Sequence, residues 1–152
     1  MQDVKSTADM NIKKLSTMLY IASDLERIGD HAENIAEYDI IRAGKEKEQE
    51  LRLSPAAMEE LRILSRAVAE IVALAVKILD THSEAIIRKI DKLEEKIDGL
   101  CEEYTENHIN RLKTEKVDPR GGIAFMCMIT DLERCADHAN NIASYFLDEV
   151  IK

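Results

Sequence analysis

Three pairs of carboxylates stand four residues apart in this chain: Glu26 with Asp30, Glu94 with Asp98, and Glu133 with Asp137. On a helix that spacing stacks both side chains on one face, one turn apart. Like charges stacked this way cost stability unless a cation sits between them, and oxygen-rich ligation suits hard or borderline metal ions. Two of the pairs lie in a repeated segment. Residues 24–38, DLERIGDHAENIAEY, return as residues 131–145, DLERCADHANNIASY, and the copies differ only at 28/135, 29/136, 33/140 and 37/144. Each copy also carries an Asp (24 or 131), an Arg (27 or 134), a His (31 or 138) and an Asn (34 or 141). A merely structural helix needs only its apolar stripe repeated, so something outside packing is expected to recognise this polar face. Arg27, His31, Arg134 and His138 point to the rim opposite the carboxylates. Hydrogen bonds to a neighbouring helix, an ion pair of each Arg with Asp24 or Asp131, or phosphate binding are the roles open to them. Tyr38 and Tyr145 read as interface residues. His108 and Arg111 have no role that the sequence assigns.

Four helices position these residues. The first is expected from about Ser6 to Ala43, closed by Gly44, with Ile21, Leu25, Ile28, Ala32 and Ile35 at helical spacing. Leu25, Ile28, Ala32 and Ile35, with Gly29 and Ala36 beside them, form its expected packing face. A charged loop, Lys45 to Arg52, follows. Ser54 and Pro55 then give an N-cap followed by proline in the first turn, opening a second helix that ends near Asp80. A third runs from about Ser83 to Thr114, its Glu and Lys residues forming a solvated outer side. Asp118 and Pro119 repeat the cap signal for a fourth helix, to Val150, with Gly121 and Gly122 permitting close backbone approach in its first turn. No segment alternates like a strand, so the fold is all-α: an antiparallel bundle of four long helices, packed up and down. If the third and fourth helices pack side by side, Glu94, Asp98, Glu133 and Asp137 converge.

Composition sets the chemistry's surroundings. At 152 residues, 45% hydrophobic and 34% charged, the chain suits one domain with a real core. Its net charge of −9 repels nucleic acid and favours cations. No apolar run approaches the roughly 20 residues that a membrane span requires. Cys101, Cys127 and Cys135 include no C-x-x-C pair and are expected as buried free thiols.

The words LERIGDHAENIAE and LERCADHANNIA, with EEKIDGL in the preceding helix, resemble the PhoU family and its E-x-x-x-D signature. ENHINRL followed by GGIAF is similar to the cytosolic PhoU-like segment that follows the membrane part of bacterial Na⁺/phosphate cotransporters. The resemblance implies a regulatory domain of phosphate transport, not an enzyme, that binds metal ions through paired motifs. Glu94, Asp98, Glu133 and Asp137 would form a complete site, and Glu26 with Asp30 an incomplete one. The metal is left open among iron, zinc, magnesium and manganese. The implied partner is the transporter membrane domain of the parent protein, or a separate phosphate transporter, met on the cytoplasmic side and touching the membrane only through that parent. PhoU domains have three helices, usually in two copies. On that pattern residues 55–152 are one complete repeat, 45–54 a linker, and 1–44 the last helix of an incomplete repeat in a fragment of a longer protein. The first helix then lacks its repeat mates, and its apolar stripe of Ile21, Leu25, Ile28 and Ile35 suggests a homodimer. Two other classes compete. A structural dimerisation bundle explains the helices but not the repeated polar face. A di-metal carboxylate enzyme would use E-x-x-H on two helices, and no Glu here precedes a His by three.

Overall fold

A computed structural model describes residues 2–43 and 51–150 of the chain. The expected closure at Gly44 and most of the charged loop, residues 45–50, lie outside the described residues. Helix α1 spans Gln2–Ala43, α2 Pro55–Thr81, α3 Glu84–Thr114 and α4 Pro119–Val150. No strand occurs among the described residues. The α1 helix already runs at Gln2 rather than from Ser6, because nothing between them breaks a helix.

Local chemistry sets the other ends. Ser54 Oγ accepts from Ala57 N–H (3.2 Å) with Pro55 in the first turn of α2. Asp118 Oδ2 accepts from Gly121 N–H (3.2 Å) at the start of α4. The turn between α2 and α3 is tight: His82 takes the left-handed conformation (φ 48°, ψ 32°) and its N–H closes on the Ile78 carbonyl. A Cβ on Gly121 would stand 1.9 Å from the Arg52 carbonyl oxygen, so only glycine lets the strand of chain entering α2 lie against the first turn of α4.

Helix α4 is the centre of the molecule. Among the described residues it touches α1, α2 and α3, whereas of the helices α1 touches α4 alone. Leu64, Ile71 and Ile78 of α2, Ile87, Ile90 and Ile97 of α3, and Phe125, Ile129 and Ile142 of α4 are its fully enclosed large side chains.

The expected packing face of α1 needs correction. Ile28 is buried and Ile21 and Ile35 are half-buried, but Leu25, Gly29, Ala32 and Ala36 are exposed. A Cβ added to Gly29 would meet nothing within 4 Å. The reason is geometric. With one neighbour, α1 buries only a narrow stripe, here Ile21, Asp24, Ile28, His31, Ile35 and Tyr38. Most of the apolar series expected at a dimer contact is therefore spent on the chain's own α4. The cysteines are free thiols, but Cys127 is half-buried where burial was expected.

Candidate functional site

The two copies of the repeated segment meet face to face. Helices α1 and α4 run antiparallel, since position 24 lies opposite 138 and position 31 opposite 131. His31 Nδ1–H donates to Asp131 Oδ1 (2.8 Å), and His138 Nδ1–H to Asp24 Oδ1 (2.8 Å). Asn34 and Asn141 reach the same two oxygens, each at 3.4 Å. The histidine rings stack across the axis with centroids 5.8 Å apart. At the centre of this local two-fold, the Cys135 thiol points to the Ile28 carbonyl (3.8 Å).

This arrangement corrects two readings of the polar face. Asp24, His31 and Asn34 are recognised by their own counterparts, so much of the repetition serves packing after all. The expected Arg–Asp ion pairs do not form: both carboxylates are taken by histidines, and Arg27 and Arg134 are exposed. Antiparallel apposition of two identical polar stripes satisfies every buried member, as low-dielectric contacts require. Symmetry breaks at one place. Tyr145 O–H donates to Asp24 Oδ2 (2.9 Å) and stacks on Tyr20, whereas the position matching Tyr20 is Cys127, which offers Tyr38 no ring to stack on.

Carboxylates gather on the other side of α4. Glu94 and Asp98 of α3 and Asp137 of α4 each present an oxygen within 4.8 Å of the others. Glu133 lies at the edge of this trio rather than in it, so the expected foursome is three close groups and a neighbour. Burial first, and then the charges of Asp98 and Asp137, hold the Glu94 carboxyl above the usual carboxylate range. Burial followed by Asp137 and Asp98 does the same to Glu133. Burial and then Asp98 raise Asp137, opposed by His138 and Arg134. Asn140, one of the four positions at which the copies differ, offsets part of this rise at Glu94. Burial, and then Glu133, Asp98 and Asp137, push the Cys101 thiol to about 12, and it does not join the three oxygens of the group. The donor set is thus all oxygen, concentrated and mutually repelling. It fits a hard or borderline divalent cation.

Glu26 and Asp30 fare differently. They are exposed on α1, and no group of three acidic, His or Cys ligands forms around them among the described residues.

The sequence also passed over His108 and Arg111. Arg111 is buried and forms a two-pronged ion pair with Glu60 (3.1 and 2.8 Å), which also accepts from Asn107 (2.8 Å). Its guanidinium lies 5.1 Å from the Phe125 ring centre, and the His108 ring stacks on the same phenyl at 4.9 Å. Only the partners on other helices reveal this cluster, so no local signal could have found it.

A PhoU domain is matched over residues 1–38 and 61–146, which includes both copies of the repeated segment and the α3 acidic pair. The phosphate-specific transport system accessory protein PhoU homolog 1 of Thermotoga maritima is 24% identical over 131 residues, covering 86% of this chain and 54% of that protein. The chain therefore spans about half the length of that curated relative. No solved structure gives a significant match.

Proposed function

Because the chain belongs to the PhoU domain family, we propose that it is a metal-binding regulatory and interaction domain of phosphate transport, with no catalytic role of its own. The observation that carries this reading is the carboxylate trio Glu94, Asp98 and Asp137, supplied by two different helices. Metal held there, with Glu133 beside it, would neutralise the repulsion and clamp α3 to α4. Iron, zinc, magnesium or manganese satisfies the donor chemistry, and the supply in the cell selects among them.

The fit of ENHINRL and GGIAF favours the cytosolic part of a Na⁺/phosphate cotransporter, acting on the transporter of the same polypeptide or on a phosphate transporter nearby. Among the described residues no helix is long and apolar enough to cross a membrane. In this reading the domain meets the membrane only through its parent protein. What supports reading residues 55–152 as a full repeat and 1–44 as a lone last helix is that, among the described residues, α2, α3 and α4 pack on one another while α1 docks on α4.

A homodimer through the free side of α1 completes the reading. Leu15, Met18, Ala22, Leu25, Gly29 and Ala32 are all exposed and recur at alternating spacings of three and four. Paired antiparallel with a second copy, Leu15 faces Ala32, Met18 faces Gly29 and Ala22 faces Leu25, so each large side chain meets a small one. Light scattering over a concentration range tests this, and a strictly monomeric mass would overturn it.

The metal reading is tested by elemental analysis of protein purified without chelator and reloaded with each cation. Uptake should be lost in the Asp98→Asn, Asp137→Asn double variant, with helicity unchanged. Equal metal content in the variant would sink the assignment.

A further inference from the structure

At the end of the bundle where α2 begins, α3 ends and α4 begins lies a half-open cavity of about 710 Å³. His108 on its wall is ten residues beyond Asp98 on α3, about 15 Å at 1.5 Å per residue. The cavity is therefore separate from the acidic cluster. Its charge is also opposite. Arg52, Arg111, Lys116 and Arg120 line it against only Glu115 and Asp118, in a chain whose net charge is −9. Asp118 is turned to cap Gly121 N–H, and Arg111 is held by Glu60. Lys116 and Arg52 are exposed on the rim. The N-termini of two long helices, α2 at Ser54 and α4 at Asp118, border the same space, and their dipoles favour an anion there.

The second observation is His108. It is 4% exposed yet makes no side-chain hydrogen bond among the described residues. No fully enclosed side-chain nitrogen or oxygen lacks a partner there, so the unpaired imidazole nitrogen opens on the cavity that His108 lines. Stacking on Phe125 fixes the ring, and the absent side chain of Gly122 leaves its Nε2–Cε1 edge clear: a Cβ there would stand 3.4–3.5 Å from those atoms. A ligand anion that accepts its N–H there makes a charge-assisted hydrogen bond with a ring already held in place.

We propose that this cavity binds a phosphate-class oxyanion, with the His108 imidazole as the buried donor and Arg52 and Lys116 as the cationic rim. Burial and the Arg111 charge lower the His108 pKa, so the free site holds a neutral ring that still offers one N–H. The volume lies within the range of small-molecule sites and exceeds the needs of a single phosphate. Orthophosphate and the phosphate group of a larger phosphorylated compound share this chemistry.

Isothermal titration calorimetry of the metal-free full chain, with orthophosphate, pyrophosphate and ATP at millimolar concentration against matched chloride, separates these sources. One saturable site per chain is expected for at least one of the three. Orthophosphate binding assigns the site to the free anion, and binding of ATP without orthophosphate assigns it to a phosphorylated ligand. His108→Leu should weaken binding about tenfold, the loss of one hydrogen bond to a charged group. His108→Gln, which keeps a donor, should recover part of it. Lys116→Glu leaves the core untouched and should weaken binding severalfold, more so at low salt. The Asp98→Asn, Asp137→Asn protein should bind the anion as well as the parent, so this proposal and the metal reading fail separately. No saturable binding of any probe, or equal binding by the His108→Leu and Lys116→Glu proteins, would overturn it.

Discussion

Leu25 and Leu132 hold the same place in the repeated segment, yet Leu25 is 37% exposed and Leu132 only 4%. Met18 and Phe125 differ more widely, at 65% and 0%. The contrast runs along one stripe. Met18, Ala22, Leu25, Gly29, Ala32 and Ala36 face outward on α1, while Phe125, Ile129, Leu132, Ala136, Ala139 and Ala143 lie under α2 and α3. The segment therefore has two working faces. Its Asp, His and Asn face binds the other copy, and that face is filled in both. Its small-residue stripe accepts a helical pair, and only the α4 copy has one within the chain. Near-identical residues thus end in different environments because their neighbours differ.

The largest expected effect comes from truncating the covered stripe. Leu132→Ala should cost about 2–5 kcal/mol in urea denaturation, whereas Leu25→Ala should stay within about 0.5 kcal/mol when the protein is dilute and monomeric. Equal losses would mean that α1 has a cover the described residues do not supply. Enlargement gives a sharper version. Ala136→Leu overpacks a site that is 1% exposed and should cost about 1–3 kcal/mol. Gly29→Leu meets open space and replaces a poor helix former, so it should raise stability by about 0.5–1 kcal/mol. In the proposed homodimer the same Gly29→Leu change should weaken association, visible as a lower mass by light scattering at fixed concentration.

The polar face offers a finer comparison. Asp24 accepts from His138, Asn141 and Tyr145, but Asp131 only from His31 and Asn34. Asp24→Ala should therefore cost about 1–3 kcal/mol and Asp131→Ala about 1 kcal/mol. Faster hydrogen exchange along α1, with α2 and α3 unaffected, would show that the loss is detachment of α1. Equal costs would mean that the Tyr145 bond adds nothing.

The smallest effect is the pH dependence of the acidic cluster. The raised Glu94, Glu133 and Asp137 carboxyls bind protons more tightly folded than unfolded, where their usual values are 4.5, 4.5 and 3.8. Their ionisation opposes folding. The penalty is absent below the unfolded values, grows as pH rises through the folded ones, and is complete above them. Metal-free parent protein should thus lose stability relative to the Glu133→Gln, Asp137→Asn variant as pH rises from about 4 toward neutrality. Parallel stability profiles would mean that these groups do not repel one another in the fold.

Helix count and most helix ends were legible because local chemistry sets them: Ser54 with Pro55, Asp118 with Pro119, and the need for glycine at 121. The acidic pairs were legible for the same reason, since four-residue spacing is a property of the helix itself. Which pairs converge was not. Glu94 and Asp98 meet Asp137 because α3 packs beside α4, and Glu26 and Asp30 stay apart because no helix of the described chain lies on that side of α1. Likewise His108 with Phe125, and Arg111 with Glu60, join residues that no local pattern connects.

The sequence by itself determined the helices, their apolar and polar faces, and the repetition that makes two of them chemically alike, because each depends on residues within a few turns of one another. Tertiary structure alone decided that the two copies would clasp antiparallel, His31 to Asp131 and His138 to Asp24. It also decided that one small-residue stripe would be covered and the other left bare. Those outcomes depend on which helices are adjacent, and a helix carries the same face whether or not a neighbour arrives to bury it.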